Sequence, residues 1–177
     1  QQMQVANKPE TSQEDYLEVI GKKTAELFGA SCKSGVIVSR GNVEQQNAAY
    51  DYGFNLGLAF QIIDDLMDFN NLPNKMGKNL GDDFKLGKTT LPVILAWQKS
   101  NPKEKKFWIK TLKELNQESN DFNNAIDIFN KYNIFNECKK KTEEYISMSI
   151  KSLDELPNRE INNHLIDLAN ESIERSK

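Results

Sequence analysis

The sequence predicts an all-α protein, and three observations carry that prediction. Apolar residues recur at three- and four-residue intervals along most of the chain. No stretch shows the strict apolar–polar alternation of a strand or the turn of a β-hairpin. Cap-type residues, prolines and glycines stand where the periodic stretches begin and end. A length of 177 residues suits one domain with a real core.

Each element follows in order. "QQMQVA" at the start reads as the last turns of a helix begun upstream and stopped before Pro9. The first complete helix is expected to open at Thr11, with Glu14 at capping-box spacing. It runs to about Ser39, where Arg40-Gly41-Asn42 breaks it. A second helix covers about Glu44 to Phe69. Residues 70–89, "NNLPNKMGKNLGDDFKLGKT", form a long loop, a length that in compact domains usually serves function. Thr90 then caps a helix with Pro92 in its first turn, where a missing N–H costs little. Three or four more helices fill 103–177, the last opening at Asn158. No repeat interrupts this order.

Composition narrows the class. Hydrophobic residues at 38% and charged residues at 28% describe a soluble globular chain rather than a disordered one. No run approaches the ~18 apolar residues of a membrane span. The opening residues lack the basic-then-apolar pattern of a secretory leader. A net charge of −3 speaks against nucleic acid as a partner. Cys32 and Cys138 match no metal or redox spacing, so reduced thiols and a cytoplasmic location are expected.

The stretch with most chemistry in it is "FQIIDDLMDF". A helix turns so that positions i, i+3, i+4 and i+7 share a face. Gln61, Asp64, Asp65 and Asp68 follow that series, while Phe60, Ile62, Ile63, Leu66, Met67 and Phe69 make the rest apolar. Gly53, Gly57 and Ala59 let neighbouring helices come close. Carboxylates set side by side near a core repel and lose solvation, so something cationic should face them. Oxygen donors at this spacing suit a hard divalent ion, Mg²⁺ above all, held with waters and substrate phosphates. Zinc is disfavoured, since no Cys or His lies near. The plain alternative is an exposed acidic stripe; the apolar surroundings weigh against it.

Lysines are placed to answer those charges. Tyr16, Ile20, Leu27 and Phe28 mark the inward face of the first helix, and Lys23 and Thr24 fall on it. Lys22 lies on another face and is an ordinary solvated lysine. The loop adds Lys78, Lys85 and Lys88 beside Asp82 and Asp83, with Gly77, Gly81 and Gly87 allowing a tight path. Lysine and glycine just after a carboxylate cluster suit a phosphate-bearing ligand. "LGKTT" is not a P-loop: the first glycine of that motif would stand at position 82, which is Asp82, and no strand precedes it. His164, the one histidine, has no nucleophile or ligand set near it and reads as a packing or surface residue. Trp97 and Trp108 read as core.

"KTAELF", "GLAFQIIDDLMDF" and "GKNLGDDFKLGKTTLP" resemble, in order and spacing, the C-terminal half of trans-isoprenyl (polyprenyl) diphosphate synthases. Within that family the "GKN-x-GDD…GK-x-TLP" pattern looks most like members that make octaprenyl chains for quinones. The resemblance covers essentially the whole chain, more weakly after about residue 100, and extends to "LDELP" and Arg175. It implies an all-α, usually homodimeric bundle around a deep cavity, here its incomplete C-terminal part. It also implies Mg²⁺-dependent joining of isopentenyl diphosphate to an allylic diphosphate. By the same resemblance Asp64, Asp65 and Asp68 form the second aspartate-rich motif, Asp64 contacting Mg²⁺ most directly, and Asp83 joins them. Lys23, Lys78 and Lys88 would hold the allylic diphosphate. Thr24, the Lys23 carbonyl and Gln61 would face the allylic cation.

The family's first aspartate-rich motif, its following arginines and its earlier Gly-Lys-x-Arg segment are not found in these residues. They are expected upstream, with the isopentenyl diphosphate site, and residues 1–177 alone are expected to be inactive. Two rivals come from other classes: a naturally short, non-catalytic partner of another synthase subunit, and a class I terpene cyclase. The Lys-rich loop argues against the cyclase.

Overall fold

The computed structural model describes residues 7–69 and 80–174, and every regular element among them is helical. The helical turns expected at 1–6, Lys78 with the rest of 70–79, and Arg175 lie outside the described residues.

Helix α1 spans Gln13–Ile20 and opens at Ser12, one residue later than expected. The Thr11 hydroxyl donates to the Lys8 carbonyl (2.7 Å) instead. Ser12 Oγ accepts the Asp15 N–H (3.0 Å) and donates to Asp15 Oδ2 (2.7 Å). A π turn, Gly21–Ala25, joins α1 to α2, Glu26–Val38. Helix α3, Val43–Met67, is 25 residues long. It begins at a capping box in which Asn42 Oδ1 accepts the Gln45 N–H and Gln45 Oε1 accepts the Asn42 N–H.

A short helix, α4, covers Asp82–Lys85, and α5 covers Leu91–Lys99 with Pro92 in its first turn, as expected. Thr90 stands at the N-cap with extended backbone, yet its hydroxyl makes no cap hydrogen bond and is buried without a partner. Helix α6, Pro102–Trp108, begins at Asn101, whose side chain accepts the Lys103 and Glu104 N–H groups, and passes into a second π turn, Ile109–Lys113. Helices α7 (Asp121–Lys131), α8 (Ile134–Ser152) and α9 (Arg159–Glu174) complete the order. Asn158 caps α9 through the Glu160 and Ile161 N–H groups, as expected.

The π turn corrects the inward face read from the sequence. In a regular helix Ile20 and Leu27, seven apart, share a side. Ile20 is 4% exposed but Leu27 is 71% exposed. A π turn takes up an extra residue, so the buried side resumes at Ala25 and Gly29, five and nine residues after Ile20. Lys23 is consequently exposed and Thr24 half-buried.

The chain forms two compact units: residues 1–19 with 64–139, and residues 20–63 with 140–177. The core of the second packs Tyr52, Leu56 and Ala59 of α3 on Ile146, Leu153 and Ala169. Tyr52 satisfies its buried hydroxyl by donating to the Leu165 carbonyl (2.8 Å). Burial pushes that phenol up to about 12. At Gly53 a Cβ would stand 2.5 Å from the Phe28 carbonyl oxygen and 2.8 Å from Cys32 Sγ. Gly53→Ala is therefore expected to destabilise the fold by about 1–3 kcal/mol, read as a lower urea midpoint at unchanged slope; an unchanged midpoint would contradict this contact.

The first unit packs around α5, whose residues Leu91–Ala96 are all buried. An aromatic file crosses this unit. Trp108 stacks on Phe129 (5.7 Å), Phe129 meets Phe69 edge-on (5.0 Å), Phe69 stacks on Phe122 (6.0 Å) and Phe122 meets Phe84 edge-on (5.8 Å). Each contact has the offset or T-shaped geometry aromatic rings favour. The file ends beside the acidic residues, since Phe69 follows Asp68 and Phe84 follows Asp83.

Candidate functional site

The acidic stripe is largely interior. Asp65 is 6% and Asp68 8% exposed, while Asp64 is half-buried. Each buried carboxylate meets a donor from the same unit. The Tyr16 hydroxyl, on α1, donates to Asp65 Oδ2 at 2.7 Å. Tyr16 is itself 3% exposed, and a phenol that deep needs an acceptor.

Asp68 sits just past the end of α3, which stops at Met67 rather than Phe69. Its side chain is thereby free of the helix and accepts the Asp83 N–H through Oδ2 (3.1 Å). Its carbonyl accepts the Gly81 N–H (2.9 Å). Gly81 has φ +77° and, being glycine, brings no side chain to the N-terminus of α4; Asp68 supplies the missing acceptor. Burial raises the Asp68 carboxyl above the ordinary range, the Asp83 and Phe84 N–H groups oppose this, and the charges of Asp83 and Asp82 add to the rise.

Asp83 in turn pairs with Lys88 through Oδ1 and Nζ, and its carbonyl accepts the Lys88 N–H (2.9 Å). Asp82 pairs with Lys85 at 3.6 Å on the exposed side. The turn carrying Lys88 is held at Gly87 (φ +67°), where a Cβ would meet Asn7 Oδ1 and Leu115 Cδ2, each at 2.5 Å. The Asn7 N–H donates to the Gly87 carbonyl (3.1 Å) and the Lys8 N–H to Thr89 Oγ1 (3.2 Å).

Lys23, Thr24 and Gln61 belong to the second unit. Lys23 and Thr24 lie within the π turn, an irregularity frequent at functional positions. Thr24 Oγ1 donates to Gln61 Oε1 at 2.9 Å, so two of the residues singled out in the sequence meet directly. The residues that sequence reasoning missed are Tyr16 as a hydrogen-bond donor and the π turn itself. The Ile20–Ala25 spacing of five is the one trace the turn leaves in the sequence.

Among the described residues, no three His, Cys, Asp or Glu side chains converge to cage a metal ion. The donors nonetheless suit Mg²⁺, which binds through one or two carboxylates with waters and phosphate oxygens rather than an all-protein cage. A half-buried Asp64 beside two buried aspartates offers an anionic, oxygen-only set of that kind.

Comparison with known proteins gives the lineage. The family model described as polyprenyl synthetase matches residues 1–129. The chain belongs to the polyprenyl synthetase family. It is 32% identical to octaprenyl diphosphate synthase of Haemophilus influenzae over 99% of this chain and 53% of the relative. It is 30% identical to geranylgeranyl diphosphate synthase of Saccharolobus solfataricus over 99% of this chain and 53% of that one. The crystal structure of a decaprenyl diphosphate synthase from Rhodobacter capsulatus matches with a TM-score of 0.93 at 34% identity, over 99% of this chain and 54% of that one. The chain thus spans about half the length of these family members, matching their C-terminal half. The all-α expectation holds: the similar structures are all-α isoprenyl synthases, and the described residues contain no strand. No helix of the described residues is long and apolar enough to cross a membrane.

Proposed function

We propose that the whole protein is a Mg²⁺-dependent prenyltransferase that extends an allylic diphosphate with isopentenyl diphosphate to a long-chain trans-polyprenyl diphosphate. Octaprenyl is the proposed length, favoured by the loop motif and by the likeness to the Haemophilus enzyme, and a quinone side chain the proposed use. One observation carries the reading: in a member of this family, the acidic stripe is bonded to the segment bearing Asp83 and Lys88.

In this reading Asp64 is the direct metal contact, with Asp65, Asp68 and Asp83 around it. Bound Mg²⁺ would neutralise the diphosphate as it leaves. Lys23, Lys78 and Lys88 hold the phosphate oxygens and take up the charge that grows on them. The Thr24 hydroxyl donates its hydrogen bond to Gln61 Oε1, so its lone pairs remain for the allylic cation. Together with the Lys23 carbonyl and Gln61 it stabilises that cation by dipoles, without a strong nucleophile that would trap it. These residues supply about half of a site, and residues 1–177 alone would not turn over substrate. A homodimer in the cytoplasm is the proposed setting.

The test is elongation by the purified whole protein from an allylic diphosphate and labelled isopentenyl diphosphate, with products sized by chromatography. Long-chain product that disappears on chelation and returns with Mg²⁺ is expected. No chain extension at saturating substrates and Mg²⁺ would overturn the assignment, and a cyclised product would replace it with a terpene cyclase.

A further inference from the structure

We propose that Gln117 is a positioning residue for the turn that carries Lys88: its side-chain amide clamps the end of α4 and so sets where Lys88 points. The inference rests on the prenyltransferase reading above, in which Lys88 holds phosphate oxygens. It brings in a residue from a separate part of the chain, between the second π turn and α7.

Helix α4 has four residues, too few to hold together in water without outside contacts. Its end is a Schellman turn. The Gly87 N–H donates to the Phe84 carbonyl (3.0 Å), the Lys88 N–H donates to the Asp83 carbonyl (2.9 Å), and Gly87 takes a left-handed φ of +67°. Those two bonds fix the direction in which Lys88 leaves the turn, and its ammonium meets the Asp83 carboxylate. Gln117 Nε2 reaches the same Phe84 carbonyl at 2.9 Å, across 33 positions of sequence. It also donates to the carbonyl of Thr111 at 2.8 Å, and Thr111 is a buried residue of the second π turn. An amide nitrogen carries two hydrogens, so one side chain ties the short helix to the backbone of another element. An irregular path delivers Gln117 to this place. The Glu114 N–H donates to the Ile109 carbonyl (3.0 Å) and the Asn116 N–H to the Lys110 carbonyl (2.9 Å), and Leu115 between them takes φ +52°, a costly conformation for a bulky residue. The same segment presses on the Schellman turn a second time, since a Cβ at Gly87 would meet Leu115 Cδ2 at 2.5 Å and the Leu112 carbonyl oxygen at 2.7 Å.

Donor chemistry separates this role from the filling of space. Gln117→Glu keeps the size and shape of the side chain but sets a carboxylate against two carbonyl oxygens, whereas Gln117→Lys changes the shape and keeps a donor. In the whole protein, Gln117→Ala is expected to raise KM for the allylic diphosphate by about 10-fold, the worth of one or two ordinary hydrogen bonds. The KM for isopentenyl diphosphate should stay at its wild-type value, because the turn serves the other substrate. Gln117→Glu should lose at least as much as Gln117→Ala at neutral pH, and Gln117→Lys should recover most of the loss.

A second readout needs no turnover. Amide hydrogen exchange at Gly87 and Lys88 in substrate-free protein should quicken by about 10-fold in Gln117→Ala and Gln117→Glu, for the same loss of bonds, and stay slow in Gln117→Lys. Exchange along α8 should match wild type in all three variants, which shows that the rest of the fold is intact. Unchanged exchange at 87–88 in Gln117→Ala would overturn the proposal. So would wild-type behaviour of Gln117→Glu, which would mean that the side chain only fills space, or an equal rise in KM for both substrates. Absence of elongation by the wild-type protein would remove the prenyltransferase reading instead, and the exchange result would still decide whether Gln117 holds the turn.

Discussion

Asp64→Ala in the whole protein is expected, on the proposed prenyltransferase reading, to slow prenyl transfer by about 10²–10³-fold, the cost of removing one preorganised group that stabilises charge in a transition state. Ionisation of an allylic diphosphate builds negative charge on the departing group, and a carboxylate that anchors Mg²⁺ places the compensating charge. Asp64 is half-buried, so its removal opens no deep cavity. The fold should therefore survive, and circular dichroism and the denaturation midpoint should match wild type. On the proposed reading the loss should persist at saturating Mg²⁺, because the proposed anchoring group is gone rather than weakened. Full activity of Asp64→Ala would sink the assigned role.

Trp108→Ala is expected to cost about 3–5 kcal/mol, the usual price of a large aromatic in a core. Trp108 is 0% exposed, stacks on Phe129, and donates through Nε1 to Ser100 Oγ (3.0 Å), which itself donates to the Ala96 carbonyl (2.8 Å). The substitution removes the ring, leaves a cavity, and strips Ser100 of its donor. The file of rings then loses its first member, and it ends next to Asp68 and Asp83. Chemical denaturation of the whole protein reads the loss; a change below about 1 kcal/mol would mean the ring is not the keystone the packing implies. Trp108→Phe should fall between, since it keeps an aromatic ring against Phe129 but gives up the hydrogen bond and part of the buried volume.

The parts of this molecule legible in its sequence are those fixed by local chemistry. Pro92 in a first turn, Asn158 at a cap and the all-α class needed no tertiary information. The spacing of Gln61, Asp64, Asp65 and Asp68 identified the stripe for the same reason. The parts that were hidden depend on partners far along the chain. Asp68 reads as one more member of a helical face until α3 ends early and hands it to α4. Thr90 reads as a capping residue because its backbone takes the cap position, but its hydroxyl is buried where no donor or acceptor meets it. Thr11 and Ser12 compete for one cap, and the Lys8 carbonyl decides between them by taking the Thr11 hydroxyl. Leu27 looked inward because periodicity assumes 3.6 residues per turn throughout, an assumption that fails in the five residues carrying Lys23 and Thr24.

That failure has a practical meaning for protein design. A regular helix copied from this sequence, with Lys23 and Thr24 grafted onto it, would keep the residues but rotate everything after them by about one position, or ~100°. Leu27 would then be aimed at the scaffold's interior and Ala25 and Gly29 away from it. A designer who wants these two side chains must transplant the extra residue along with them, and treat the segment as a deliberate phase change in the helix rather than as a flaw to be idealised away.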